Sequence, residues 1–155
     1  MGSRHGRLAA GLSAAWESEL VSSRTLTLVA EEISEPHHRA RLLVLSAFCR
    51  AHASRLLARL AAMGRGPLPV PPEVDLDSAP MPVLLEREAK HARACAARYA
   101  QLTEHARAQG DVSSAWVCEL NRTEETERAD ELMKLVEAMR APPPEHRGWS
   151  SQPFP

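Results

Sequence analysis

The chain has 155 residues, 44% hydrophobic and 25% charged, which suits one ordinary globular domain. Lys and Arg (19) nearly balance Asp and Glu (20), leaving a formal net charge of −1 without the basic excess of a nucleic-acid binder. No apolar run approaches the ~20 residues needed to span a membrane.

Residues from Leu8 onward are amphipathic rather than a continuous apolar run, so no signal peptide is expected. The three cysteines, Cys49, Cys95 and Cys118, are unclustered and odd in number, as in a reducing compartment. Lysine occurs only at Lys90 and Lys134 against a large excess of Arg, a bias of GC-rich bacterial genes. A cytoplasmic bacterial protein is therefore expected.

In chain order, hydrophobic periodicity predicts a first helix over 8–33, with Leu8, Leu12, Ala15, Glu19, Leu26, Ala30 and Ile33 on one stripe. Pro36 separates it from a second helix over 37–63, whose stripe is Leu42, Leu45, Cys49, His52, Leu56, Leu60 and Met63, with Gly64 as a stop. Residues 64–80 carry two glycines and five prolines and can hold neither a helix nor a central strand. A third helix is predicted over 81–109, with Leu85, Glu88, Ala92, Cys95, Tyr99, Leu102 and Ala106 inward. After the Gly110-Asp111 turn comes a fourth over 112–140, with Val117, Leu120, Glu124, Arg128, Glu131, Leu135 and Met139 on one side. Pro142, Pro143 and Pro144 end it, and 141–155 reads as a Pro-rich flexible tail whose Trp149 and Phe154 are candidates for docking. No period-two run suggests a strand.

Connection lengths choose the topology. Short links make helices one and two, and helices three and four, antiparallel hairpins. The 64–80 linker, at ~3.3 Å per residue, reaches ~55 Å, more than the ~42 Å of a 28-residue helix. It can cross the whole bundle, so the expected fold is all-α: two antiparallel hairpins joined by one long crossover.

The chemically informative residues are ionisable groups inside the apolar stripes: Glu19, His52, Glu88 and Glu124. Buried charges are nearly always paired or metal-bound. Di-iron bundles take one Glu from each of two helices and a Glu-x-x-His from each of the other two. Here helix two carries Cys49-x-x-His52 and helix four carries Glu124-x-x-Glu127, so both motifs depart from that pattern.

Residues 48–57 (FCRAHASRLL) resemble the second helix of the ferritin-like superfamily, and especially of its rubrerythrin-like and small bacterial members. Residues 85–88 (LERE) with Tyr99 resemble the third, and 124–132 (EETERADEL) the fourth. The resemblance covers 8–140. It implies a ferritin-like four-helix bundle, often dimeric, with ferroxidase, peroxidase or iron-storage chemistry. It also implies a metal set of Glu19, His52, Glu88, Glu124 and Glu127 holding iron or manganese, which would make the protein a di-iron oxidoreductase.

The residues also allow a metal-free reading, which is the favoured one. Glu124 and Arg128 are spaced i, i+4 as an ion pair, and Arg128 can bridge to Glu88. A degenerate bundle of this kind would serve as a structural or protein-interaction module without a cofactor, with a second copy or another protein as its partner. Trp16 and Trp116 lie near helix edges, where they could pack under the 64–80 crossover or at a face between two copies.

Overall fold

A computed structural model describes residues 4–142, which form four helices: α1 (Arg4–Glu32), α2 (Pro36–Ala62), α3 (Met81–Ala108) and α4 (Val112–Arg140). No strand occurs among the described residues. The tail expectation, including Trp149 and Phe154, falls mostly on 143–155 and lies outside them.

Local chemistry sets the boundaries. Glu35 caps α2, its carboxylate accepting from the backbone N–H groups of His37 and His38, and Pro36 follows at the first helical position. The Arg39 guanidinium donates twice to the carbonyl of Ile33, satisfying the end of α1. Helices α2 and α3 both end on a glycine with φ of 72°, Gly64 and Gly110. In each case the next residue's N–H closes back on the last turn, from Arg65 to Leu60 and from Asp111 to Ala106. Asp111 then caps α4 by accepting from the Ser114 N–H and hydroxyl.

Contacts give the helix directions. Ser23 meets Ser46 and Glu19 meets His52, so α1 and α2 are antiparallel. Glu88 meets Arg128 and Tyr99 meets Asn121, so α3 and α4 are antiparallel. Arg41 pairs with Glu131 and Arg59 with Asp111, setting α2 antiparallel to α4. It follows that α2 and α3 run parallel and that 63–80 must traverse the bundle. Leu68 in this segment packs on one apolar end of the core, and Leu76 and Ala79 on the other.

The core is divided. One apolar cluster gathers Leu8, Leu12, Leu56, Leu60, Leu102 and Ala106, and the other gathers Leu26, Leu42, Leu45, Leu85, Leu132 and Leu135. Gly11 lets α1 approach α3 closely, because a Cβ there would lie 2.5 Å from Leu102 Cδ2. Between the clusters lies a layer of buried polar side chains, including Glu19, His52, Asn121, Glu125 and Arg128. Among the described residues no helix is long and apolar enough to cross a membrane.

Candidate functional site: a buried ionic layer

Each helix supplies the layer from its inward stripe. On α1, Glu19 follows Ala15 by one turn. On α2, Cys49 and His52 lie three residues apart between Leu45 and Leu56. On α4, Asn121, Glu125, Arg128 and Leu132 keep the 4-3-4 spacing of one helix face. Tyr99 reaches in from α3.

His52 is the hub and is fully buried. Its Nδ1 lies 3.0 Å from Glu125 Oε1 and 3.3 Å from Glu19 Oε1, and its Nε2 lies 2.7 Å from Glu124 Oε2. Burial alone would lower the imidazole pKa. Hydrogen bonds and charge from Glu125 and Glu19 outweigh that and raise it to about 9. At neutral pH His52 is therefore an imidazolium, donating from both nitrogens.

Arg128 is the second buried cation. Its Nε lies 3.2 Å from both Glu125 oxygens, one guanidinium N–H reaches Glu125 Oε2 at 2.7 Å, and another reaches Glu88 Oε2 at 3.3 Å. Burial raises the Glu125 carboxyl pKa, but His52 and Arg128 together bring it below its usual value. Glu124 sits at the rim and is about one-fifth exposed. Its burial is outweighed by Arg55, 2.6 Å away, and by His52, so its pKa too is lowered.

Polar neighbours complete the layer. Tyr99 donates to Glu19 Oε1 at 2.7 Å, and burial followed by the Glu19 charge pushes its phenol pKa far up. Asn121 donates toward Tyr99 Oη at 3.3 Å and accepts from Arg55 at 3.0 Å. Cys49 is fully buried, and burial holds its thiol well above the ordinary range, so it is neutral. Glu19 Oε2 is buried without a hydrogen-bond partner.

The residues singled out from sequence are thus divided. Glu19, His52 and Glu124 converge. Glu88 stands at the edge of the layer, touching it through Arg128. Glu127 is exposed and stays outside, so the expectation that it joins the set is corrected. It lies about 200° around α4 from Glu125. The carboxylate deepest in the layer is Glu125, which the sequence reading did not single out. Arg128 pairs with Glu125 and Glu88 rather than with Glu124. Leu120, Glu131 and Met139, expected inward, are half-buried, while Cys118, Asn121, Glu125, Leu132 and Val136 are buried.

No family model matches the sequence, and no curated protein matches it. Solved structures do. A Xanthomonas campestris protein superposes with a TM-score of 0.77 at 20% identity, covering 88% of this chain and 92% of its own. The bacterioferritin of Desulfovibrio desulfuricans, a protein with a diiron site, superposes with a TM-score of 0.77 at 18% identity, covering 88% of this chain and 81% of its own. The fold is ferritin-like.

The donor set of this ferritin-like bundle can be compared with a two-metal centre. Glu19, His52 and Glu125 each offer an atom within 4.8 Å of the others, a group compatible with one metal ion. The unpartnered Glu19 Oε2 favours a cation there. Among the described residues a second ion has no such cradle. Cys49 stands where α2 would supply a carboxylate, Arg128 stands where α4 would supply an imidazole, and the Arg128 guanidinium already pairs with Glu125 and Glu88. The residues present do not fit a di-iron pair.

Proposed function

We propose that this ferritin-like bundle is held at its centre by its own ions and works as a structural or protein-interaction module rather than as a di-iron oxidoreductase. The carrying observation is Arg128: a fully buried guanidinium three residues after Glu125, paired to two carboxylates. Iron or manganese would have to share those carboxylates with it. It would also have to displace the proton from His52, because a metal ligand must be a neutral imidazole. Both cations oppose a divalent ion through direct charge.

The interaction role is supported by the outer face of α2. Leu43, Val44, Phe48 and Leu57 are each at least 44% exposed, and Arg41 paired with Glu131 borders them. A second copy or another protein is the expected partner. Sedimentation of wild type against Phe48→Glu tests the self-association branch, with dimers expected to give way to monomers.

A second reading, a single iron or manganese on Glu19, His52 and Glu125, draws on the unpartnered Glu19 oxygen. Elemental analysis of protein purified from cells supplemented with iron and manganese separates the two. Well under one iron or manganese per chain is expected. A stoichiometric amount that falls in Glu125→Gln would overturn the proposal.

A further inference from the structure

A second constellation of donor atoms lies on the seam between α1 and α3, separate from the ionic layer. His91 and Cys95 are one turn apart on α3 and face Ser18 of α1. The three donor atoms form a closed triangle: Ser18 Oγ to His91 Nε2 at 2.9 Å, Cys95 Sγ to His91 Nε2 at 3.4 Å, and Ser18 Oγ to Cys95 Sγ at 3.7 Å.

These lengths have a chemical meaning. A tetrahedral zinc with Zn–S of about 2.3 Å and Zn–N of about 2.0–2.1 Å holds its sulfur and nitrogen about 3.5 Å apart, and a nitrogen–oxygen pair about 3.4 Å apart. The sulfur edges here already match. The Ser18 edge is a hydrogen bond that must open by about half an ångström, or give way to water.

The surroundings are also those of a cation site. Outward, the triangle opens on a groove lined by Ala14, Glu17, Ser18, Val21 and His91, which gives an ion access and room for water or the Glu17 carboxylate as a further ligand. Inward, Cys95 lines a pocket with Ala15, Glu19, Arg98 and Tyr99 that has no room for a water. Glu19 Oε2, buried and without a partner, belongs to the carboxylate on that wall. The ion's charge would stand beside it and offset the thiolate and Glu19, with Arg98 as the competing cation on the same wall.

We propose that His91 Nε2, Cys95 Sγ and Ser18 Oγ form a half-buried site for a thiophilic divalent cation of the zinc class, with water or Glu17 completing the shell. On binding, the Cys95 thiol proton leaves to solvent and a sulfur–metal bond replaces the S–H bond. His91 keeps its proton on Nδ1 and offers the Nε2 lone pair. Nothing is oxidised or reduced. This site takes none of its ligands from the central layer, and it meets that layer only at the wall that Cys95 shares with Glu19.

Cobalt(II) is the probe, because a thiolate ligand gives it a charge-transfer band. Titrating the full chain is expected to load one cobalt with that band, which zinc then removes, releasing one proton per zinc bound to the metal-free protein. Cys95→Ala abolishes the band, whereas Cys49→Ala and Cys118→Ala retain it. His91→Ala, at a half-buried position, weakens binding beyond the roughly 10–100-fold that loss of a ligand's own partner costs. The proposal is overturned if saturating cobalt gives no band, if cobalt binds without it through surface histidines, or if the band survives Cys95→Ala or is unmoved by His91→Ala. Iron and manganese content plays no part in this test, so its failure and that of the reading above are distinguishable.

Discussion

Two i, i+3 turns meet at the middle of the bundle, Cys49–His52 on α2 and Glu125–Arg128 on α4. They have the same spacing and touch through His52 and Glu125, yet their chemistry differs. The α2 turn offers a neutral thiol and an imidazolium, and the α4 turn a carboxylate and a guanidinium. A two-metal centre needs a carboxylate and a neutral imidazole from each. Each turn here lacks a different half of that set, and each brings a cation of its own. Charge that a metal would supply is supplied by His52 and Arg128, which match the two fully buried carboxylates, Glu19 and Glu125. Such matching need not add stability over an apolar core, but it makes every member dependent on its partners.

The largest expected effect comes from removing the carboxylate both turns share. Glu125→Ala leaves Arg128 and His52 short of a buried counter-charge and should cost about 3–5 kcal/mol in urea unfolding. A loss below about 1 kcal/mol would mean that water reaches the layer, and the contrast between the turns would collapse.

The next effect is in pH. His52 has a folded pKa raised from 6.5 to about 9, so its contribution is fully present below pH 6.5 and is lost as pH rises toward 9. Stability should fall across that window by an amount on the order of 3 kcal/mol. His52→Gln should remove that slope. Glu124 and Glu125 act in the opposite sense: their lowered pKa values give stability that is present above pH 4.5 and lost as pH falls below it. An unfolding series from pH 3 to pH 10 reads both limbs.

Smaller effects sharpen the boundary of the layer. Tyr99→Phe removes the donor to Glu19 Oε1 and leaves that carboxylate with less compensation, at a cost of about 1–3 kcal/mol by thermal or urea unfolding. Glu127→Ala, on the exposed side of α4, should stay within about 0.5 kcal/mol of wild type in the same assay.

Much of the fold was legible in sequence. The stripes of α1, α2 and α3 repeat Leu, Ala and Cys at three- and four-residue spacing. Gly64 and Gly110 mark helix ends because the closing geometry needs a positive φ, and the Pro-rich 64–80 segment is too long for a tight turn. The rotation of α4 was less legible. Residues 121–131 are polar apart from Ala129, so hydropathy chooses only weakly between the adjacent Glu124 and Glu125. The 4-3-4-3 spacing of Ser114, Cys118, Asn121, Glu125, Arg128, Leu132 and Leu135 does choose, and it carries the correct face. Arg55 was invisible for a different reason. It starts from a half-exposed position, and only the length of its side chain brings it to Glu124 and Asn121.

The charge state of His52 is the most direct test of a centre held by protein ions. NMR titration of the ring nitrogens should find both protonated at pH 7.5, with deprotonation near pH 9. A neutral ring at pH 7.5, or a nitrogen shifted by a bound metal, would contradict the account.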